Sequence, residues 1–95
     1  MAAYFIVDLD ITDMEGFREY QQLAGATVEQ YGGKYLVRGE VAETLEGDWQ
    51  IHRMVMLEFE SMEQAKRWYD SAEYAAIIGI RHRTAKSEMI LVQGV

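Results

Sequence analysis

The chain predicts an α+β fold, a ferredoxin-like βαββαβ plait, and three observations carry it. Runs rich in β-branched, aromatic and Met residues alternate with two amphipathic helical stretches in that order. At Ser61 the apolar period changes from two to about 3.6, so a strand over 54–59 feeds a capped helix. Both faces of the first strand are apolar over its first half, which a sheet with one wet side would not show. Crossovers of ordinary handedness then put both helices on one face of a four-stranded antiparallel sheet, order 4-1-3-2, with strands one and three central.

The elements follow in order. Residues 4–11 are aromatic and β-branched, with Phe5, Val7 and Leu9 on one face and Tyr4, Ile6 and Asp8 on the other. Thr12 and Glu15 have the spacing of a capping box. Met14, Phe17, Tyr20/Gln21, Ala24, Val28 and Tyr31 form one helical stripe behind it. Gly32-Gly33 ends that helix, since glycine accepts the left-handed C′ conformation. A phosphate-cradling loop would precede a helix, and this pair follows one. Residues 35–38 are the second strand, continued over 41–45 after a bulge or bend at Gly39. A turn at 46–49 leads to the third strand, 51–59. Ser61 to Gln64 caps the second helix, whose buried stripe is Met62, Ala65, Trp68/Tyr69 and Ala72. Asp70-Ser71 offers a second N-cap, so the helix either breaks there or bends and continues to Gly79 or Arg81. Residues 87–92 close the sheet.

Ninety-five residues are read as a single domain, 1–95, marginal as a monomer because so small a chain buries only about 60–65% of its unfolded surface. With no cysteine, disulfides and thiolate metal sites are excluded. A net charge of −7 with scattered Lys and Arg argues against nucleic acid. No apolar run is long enough to span a bilayer and the N-terminus lacks a basic leader, so the expected location is cytoplasmic.

Two helices cover only one side of such a sheet. The other carries Tyr4, Ile6, Met54, Met56 and members of the Leu36 and Ile90 rows, a face of roughly 350 Å². Removing six large side chains from water contributes on the order of 9–18 kcal/mol as an upper bound. A second copy is the simplest cover, giving a homodimer in which the two sheets form a dimeric α/β barrel.

Few residues carry chemistry. Asp8 and Glu58 fall near the ends of neighbouring strands, read as running parallel, on the face away from the helices. Brought together in a partly dry barrel, one carboxyl would have its pKa raised for acid/base work; the alternative is a solvated rim or pairing with Arg38. Alternation puts Arg38 on the same face, as an anion holder or as an ion pair fixing the dimer. His52, at the start of the third strand, is the candidate proton shuttle or a solvated strand-end histidine. Trp68 and Tyr74 suit a ligand wall or the core. Trp49, in an acidic turn, suits a partner contact or a ligand mouth. No metal-ligand spacing and no Ser-His-Asp arrangement is present, and no cofactor is expected.

Gly33-Lys34-Tyr35-Leu36-Val37-Arg38-Gly39, Leu45-Glu46-Gly47-Asp48-Trp49, Glu58-Phe59, Trp68-Tyr69-Asp70-Ser71-Ala72-Glu73-Tyr74, Arg81 and Leu91-Val92-Gln93-Gly94 together resemble the domain-of-unknown-function 1330 family. The match covers nearly the whole chain. It implies a short bacterial protein of the dimeric α/β-barrel superfamily, with the same plait and a homodimer but no established reaction. More distant relatives in that superfamily include cofactor-free monooxygenases, haem-degrading enzymes and muconolactone isomerases. Where the family commonly has proline, this chain has Met14 and Ala72, which weakens the expected break at Ser71.

The functional expectation is a homodimer that binds a small anionic molecule in a cleft, with a cofactor-independent isomerase or monooxygenase-like activity in view. Arg38 and Arg81 would be ligand-binding, with Trp49, Trp68 and Tyr74 lining the site and His52, Asp8 or Glu58 moving protons. The alternative is a non-catalytic accessory or stress-related dimer whose polar residues serve only the interface.

Overall fold

Alternation along the first strand sets the two sides of the molecule. In the computed structural model, which describes residues 1–95, β1 (Ala3–Ile11) buries Phe5, Val7 and Leu9 on the side that the helices cover. Tyr4, Ile6 and Asp8 are half-buried on the other. The chain continues through α1 (Met14–Gln30), β2 (Lys34–Glu40), β3 (Met54–Phe59), α2 (Met62–Tyr69), α3 (Ala72–Ala75), α4 (Ile78–Thr84) and β4 (Ala85–Gln93). The sheet order is β2-β3-β1-β4 and every neighbouring pair is antiparallel. This is the expected plait, read from the opposite edge. The Cα extents of 35 × 32 × 16 Å describe a slab two layers deep, with nothing on the second side of the sheet.

Local chemistry explains the boundaries, including those that differ from expectation. Asp13, not Thr12, caps α1, accepting from the Gly16 N–H at 3.1 Å. Thr12 is diverted, because its hydroxyl and N–H both donate to the Thr84 carbonyl and tie α1 to the end of α4. Gly32 takes φ +78° just past the helix, the left-handed conformation that closes a C-terminus. Ser61 caps α2 as expected, accepting from Gln64 N–H. The second helix does break at Ser71, without a proline. The Ser71 hydroxyl donates to Trp68 carbonyl at 2.7 Å and accepts from Tyr74 N–H at 3.1 Å, so one side chain closes α2 and opens α3. The last helical segment runs on to Thr84 rather than stopping at Gly79 or Arg81.

The segment 41–53 is irregular, so neither the expected continuation of β2 over 41–45 nor the early start of β3 at 51 is found. β2 lies at the sheet edge and no further strand stands beside it. Glu43, Glu46 and Asp48 make 41–53 poor material for adding one. Two register shifts bend β2, between Tyr35/Val37 and between Arg38/Glu40. The second is the expected Gly39 bulge, with φ +95°. The first makes Leu36 an extra residue, which the sequence did not announce.

The core is aromatic and lies between sheet and helices. Trp68, 1% exposed, packs edge-on against Phe5 at 5.2 Å and stacks with Phe59 at 5.5 Å. Its indole N–H donates to Thr27 Oγ1 at 2.9 Å, which satisfies the one polar atom such a ring must bury. α2 rests on β1, β3 and β4, whereas α1 packs chiefly on α4 and α3. α1 therefore stands off from β2 and β3, and a cleft opens beneath it.

Candidate functional site

The cleft lies between α1 and the β2–β3 side of the sheet, with a volume of about 780 Å³. Val7, Leu9, Val55 and Leu57 floor it, and Phe17, Tyr20 and Gly25 of α1 wall it. A mostly apolar cavity with a few convergent polar groups is the usual form of a small-molecule site. Its polar lining includes Arg38, Tyr35 and Lys34 from β2, Arg81 from α4, and Tyr20, Gln21, Gln22 and Glu29 from α1.

Arg38 is on the opposite side of the sheet from the one strict alternation gives. The bulge at Leu36 supplies the reason, since one extra residue flips the following side chains to the other face. Arg38 pairs with Val55, Val55 with Val7, and Val7 faces the helices. The Arg38 guanidinium sits over the Tyr35 ring, 4.7 Å from its centroid, a contact that orients the charge without neutralising it.

Arg81 is 4% exposed and forms no ion pair. Its guanidinium has a sulfur contact to Met89 at 3.9 Å and a bond to His82 Nε2 at 3.3 Å, while Nε has no partner at all. A buried cation without a counter-charge is costly and uncommon. Beside it, the Tyr20 and Tyr74 hydroxyls lie 2.5 Å apart. Burial pushes both phenols above their ordinary range, with the Arg81 charge pulling the other way. Burial also raises Tyr35, again opposed by its arginine, Arg38. All three are therefore hydrogen-bond donors near neutral pH and not bases. Glu29 is the one carboxylate lining the cleft, and it stands on the exposed side of α1.

The remaining candidates are elsewhere. Tyr74 is 0% exposed and backs Tyr20 from behind the cleft wall. Trp68 reaches the cleft, but as part of the core. Trp49, 59% exposed, lies in the 41–53 segment and does not line the cleft. Asp8 and Glu58 are not neighbours, because β1 and β3 are antiparallel. Asp8 pairs with Met54 and Glu58 with Tyr4, roughly 13 Å apart along the strand. Glu58 meets Lys34 at 3.1 Å, and that ammonium holds its carboxyl below the usual range. Asp8 instead accepts from the His52 N–H at 2.8 Å and contacts the imidazole Nδ1 at 3.3 Å. His52 Nε2 lies 3.9 Å from Asp10. These groups sit on the side of the sheet away from the cleft. No group of three or more His, Asp or Glu side chains is placed to hold a metal ion.

Tyr20 and Tyr35 are the cleft residues that sequence reasoning missed. Their signal was present but mute, since an aromatic on an apolar stripe reads as core.

A family model described as a domain of unknown function, DUF1330, matches residues 2–95. No curated protein matches significantly. Among solved structures, a protein of unknown function from Rhodopseudomonas palustris superposes with a TM-score of 0.79 at 17% identity, covering 99% of this chain and 82% of that one. SnoaB, a cofactor-independent oxygenase from Streptomyces nogalater, gives 0.65 at 11% identity, covering 99% and 93%. HapK from Hahella chejuensis gives 0.65 at 12% identity, covering 98% and 92%. At such identities the likeness is one of fold. No helix is long and apolar enough to cross a membrane.

Proposed function

The chain belongs to the DUF1330 family, whose function is unknown, and on that footing we propose that it binds a small organic anion in the cleft under α1. The observation that carries this is Arg81, a buried guanidinium with an orphaned Nε in the cleft wall. An anionic group bound there supplies the missing counter-charge, and Tyr20 adds a hydroxyl donor. The apolar floor takes the rest of the molecule. Binding is favoured over turnover, since the cleft offers donors and positive charge while its one carboxylate, Glu29, stands on the exposed side of α1.

The protein works as a homodimer in this reading. Support comes from the bare side of the sheet, where Leu36, Ile90 and Val92 are exposed and Tyr4, Ile6, Met54 and Met56 are half-buried. A contiguous apolar patch of this size is often functional, and a second copy of the chain is the simplest cover for it. His52, Asp8, Glu58 and Lys34 on that side then serve the contact between copies rather than chemistry.

Calorimetric titration with aliphatic and aromatic carboxylates tests the binding reading, comparing the native chain with Gly25→Phe. A Cβ at Gly25 meets nothing within 4 Å, so the ring enters the cleft without disturbing the fold. Binding should be lost in the variant. Carboxylate affinities that are equal in both proteins would refute the assignment.

A further inference from the structure

Four residues of one cross-strand row face the helices: Arg38 on β2, Val55 on β3, Val7 on β1 and Met89 on β4. All four line the cleft, and so does Arg81, whose guanidinium touches the Met89 sulfur at 3.9 Å. One arginine thus stands over each end of the row, with two valines between them. Three strand spacings separate the ends, ~14 Å. Arg38 leans along its own strand onto Tyr35, so it does not close that distance. A single carboxylate, whose oxygens must come within about 3 Å of each donor it binds, cannot reach both.

Neither guanidinium has a carboxylate partner in the protein; the ion pairs involve Lys34, Glu58, His52, Asp8 and Asp10. Their neighbours are an aromatic ring, a thioether sulfur and an imidazole, all of which hold a cation in place while leaving N–H groups free. The surface between them is apolar. Two unneutralised cations at the ends of an apolar trough, in a chain of net charge −7, form a site for two separated negative charges.

Resting on the anion-binding reading above, we infer that the ligand class is a dianion with an anionic group at each end of an apolar spacer. One end lies on Arg81 and Tyr20, the other on Arg38 over Tyr35, and the spacer lies on Val7 and Val55. Allowing ~4 Å for each guanidinium–carboxylate contact leaves ~6 Å between the anionic carbons. An α,ω-dicarboxylate of about six carbons has that length.

The test is calorimetric titration with α,ω-dicarboxylates of about four to ten carbons and monocarboxylates of matching length. The native chain is compared with Arg38→Gln and Arg81→Met. A diacid of intermediate length should bind at least tenfold more tightly than its monoacid. Arg38→Gln should erase that advantage and leave the monoacid unchanged, while Arg81→Met should weaken both. Equal affinity of mono- and diacids, still dependent on Arg81, would overturn the dianion and leave the simpler anion site standing. Acids that bind nowhere, or bind without regard to Arg81, would overturn both. Arg38 is exposed, and a thermal melt of its variant verifies that lost affinity is not lost fold.

Discussion

Replacing Arg81 with methionine should make the empty protein more stable. Methionine keeps an unbranched apolar stem in the same space and removes a charge that nothing in the protein neutralises. An orphaned buried N–H costs about 1–3 kcal/mol, and a buried unpaired ion costs several more. Against this, the change forfeits one hydrogen bond to His82, about 0.5–1.5 kcal/mol. It also loses a cation in the last turn of α4, where the helix dipole favours one by about 0.3–1 kcal/mol. The balance is a gain of about 2–5 kcal/mol, at roughly 4–8 °C of Tm per kcal/mol for a domain of this size. Urea unfolding followed by tryptophan fluorescence, at one fixed protein concentration, measures it. Saturating ligand at about 100 times Kd should return about 2.7 kcal/mol to the native chain and nothing to the variant. A loss of more than about 1 kcal/mol in ligand-free Arg81→Met, beyond the forfeited contacts, would refute the reasoning and make Arg81 a structural residue.

Other outcomes follow from the same geometry. Gly25→Ala, in a helix interior where a Cβ meets nothing within 4 Å, should raise stability by about 0.5–1 kcal/mol in a denaturant titration. Met56→Asp sets a carboxylate in the middle of the bare side, opposite Ile6. Sedimentation should then show a dimer for the native chain and a monomer for the variant, and an unchanged mass would discredit the interface. Glu58 has a depressed folded-state pKa, because Lys34 stabilises its ionised form. Its contribution is therefore present above the ordinary value of 4.5 and is lost as pH falls through the depressed one. Melting curves of Glu58→Gln and the native chain should converge on acidification, whereas a constant gap would show that the Lys34 pair does not matter.

The fold was legible because periodicity and caps agreed along most of the chain. Phe5, Val7 and Leu9 alternate cleanly, Ser61 is a cap followed by a helical stripe, and Ser71 breaks a helix by hydrogen bonding alone. What was not legible has specific causes. The bulge at Gly39 could be anticipated from glycine's freedom, but leucine at position 36 carries no such mark, and Arg38 was misassigned with it. Pairing Asp8 with Glu58 failed on strand direction, since in an antiparallel pair the two residues recede from each other. The 41–53 segment contains Val41 and Leu45 at strand-like spacing, yet no partner strand stands beside them. Arg81 stood in a basic run that suits a helix end, and only packing reveals that its charge is enclosed. Tyr20 and Tyr35 look like core in one dimension and become a wall only because α1 leans on α4 instead of the sheet.

The extra residue at Leu36 makes the sidedness of β2 a matter of parity. Everything after it reports to one side of the sheet or the other according to whether the count from Lys34 is odd or even. Removing Leu36 would leave Tyr35, Val37 and Arg38 opposite Leu57, Met56 and Val55 in strict alternation, so Arg38 would stay in the cleft. Pairing Leu36 in the ladder instead would carry Arg38 onto the side that Glu58 and Asp8 share, and the trough would lose one of its two cations. The side on which Arg38 stands thus rests on one apolar residue being left out of the ladder, not on any polar side chain.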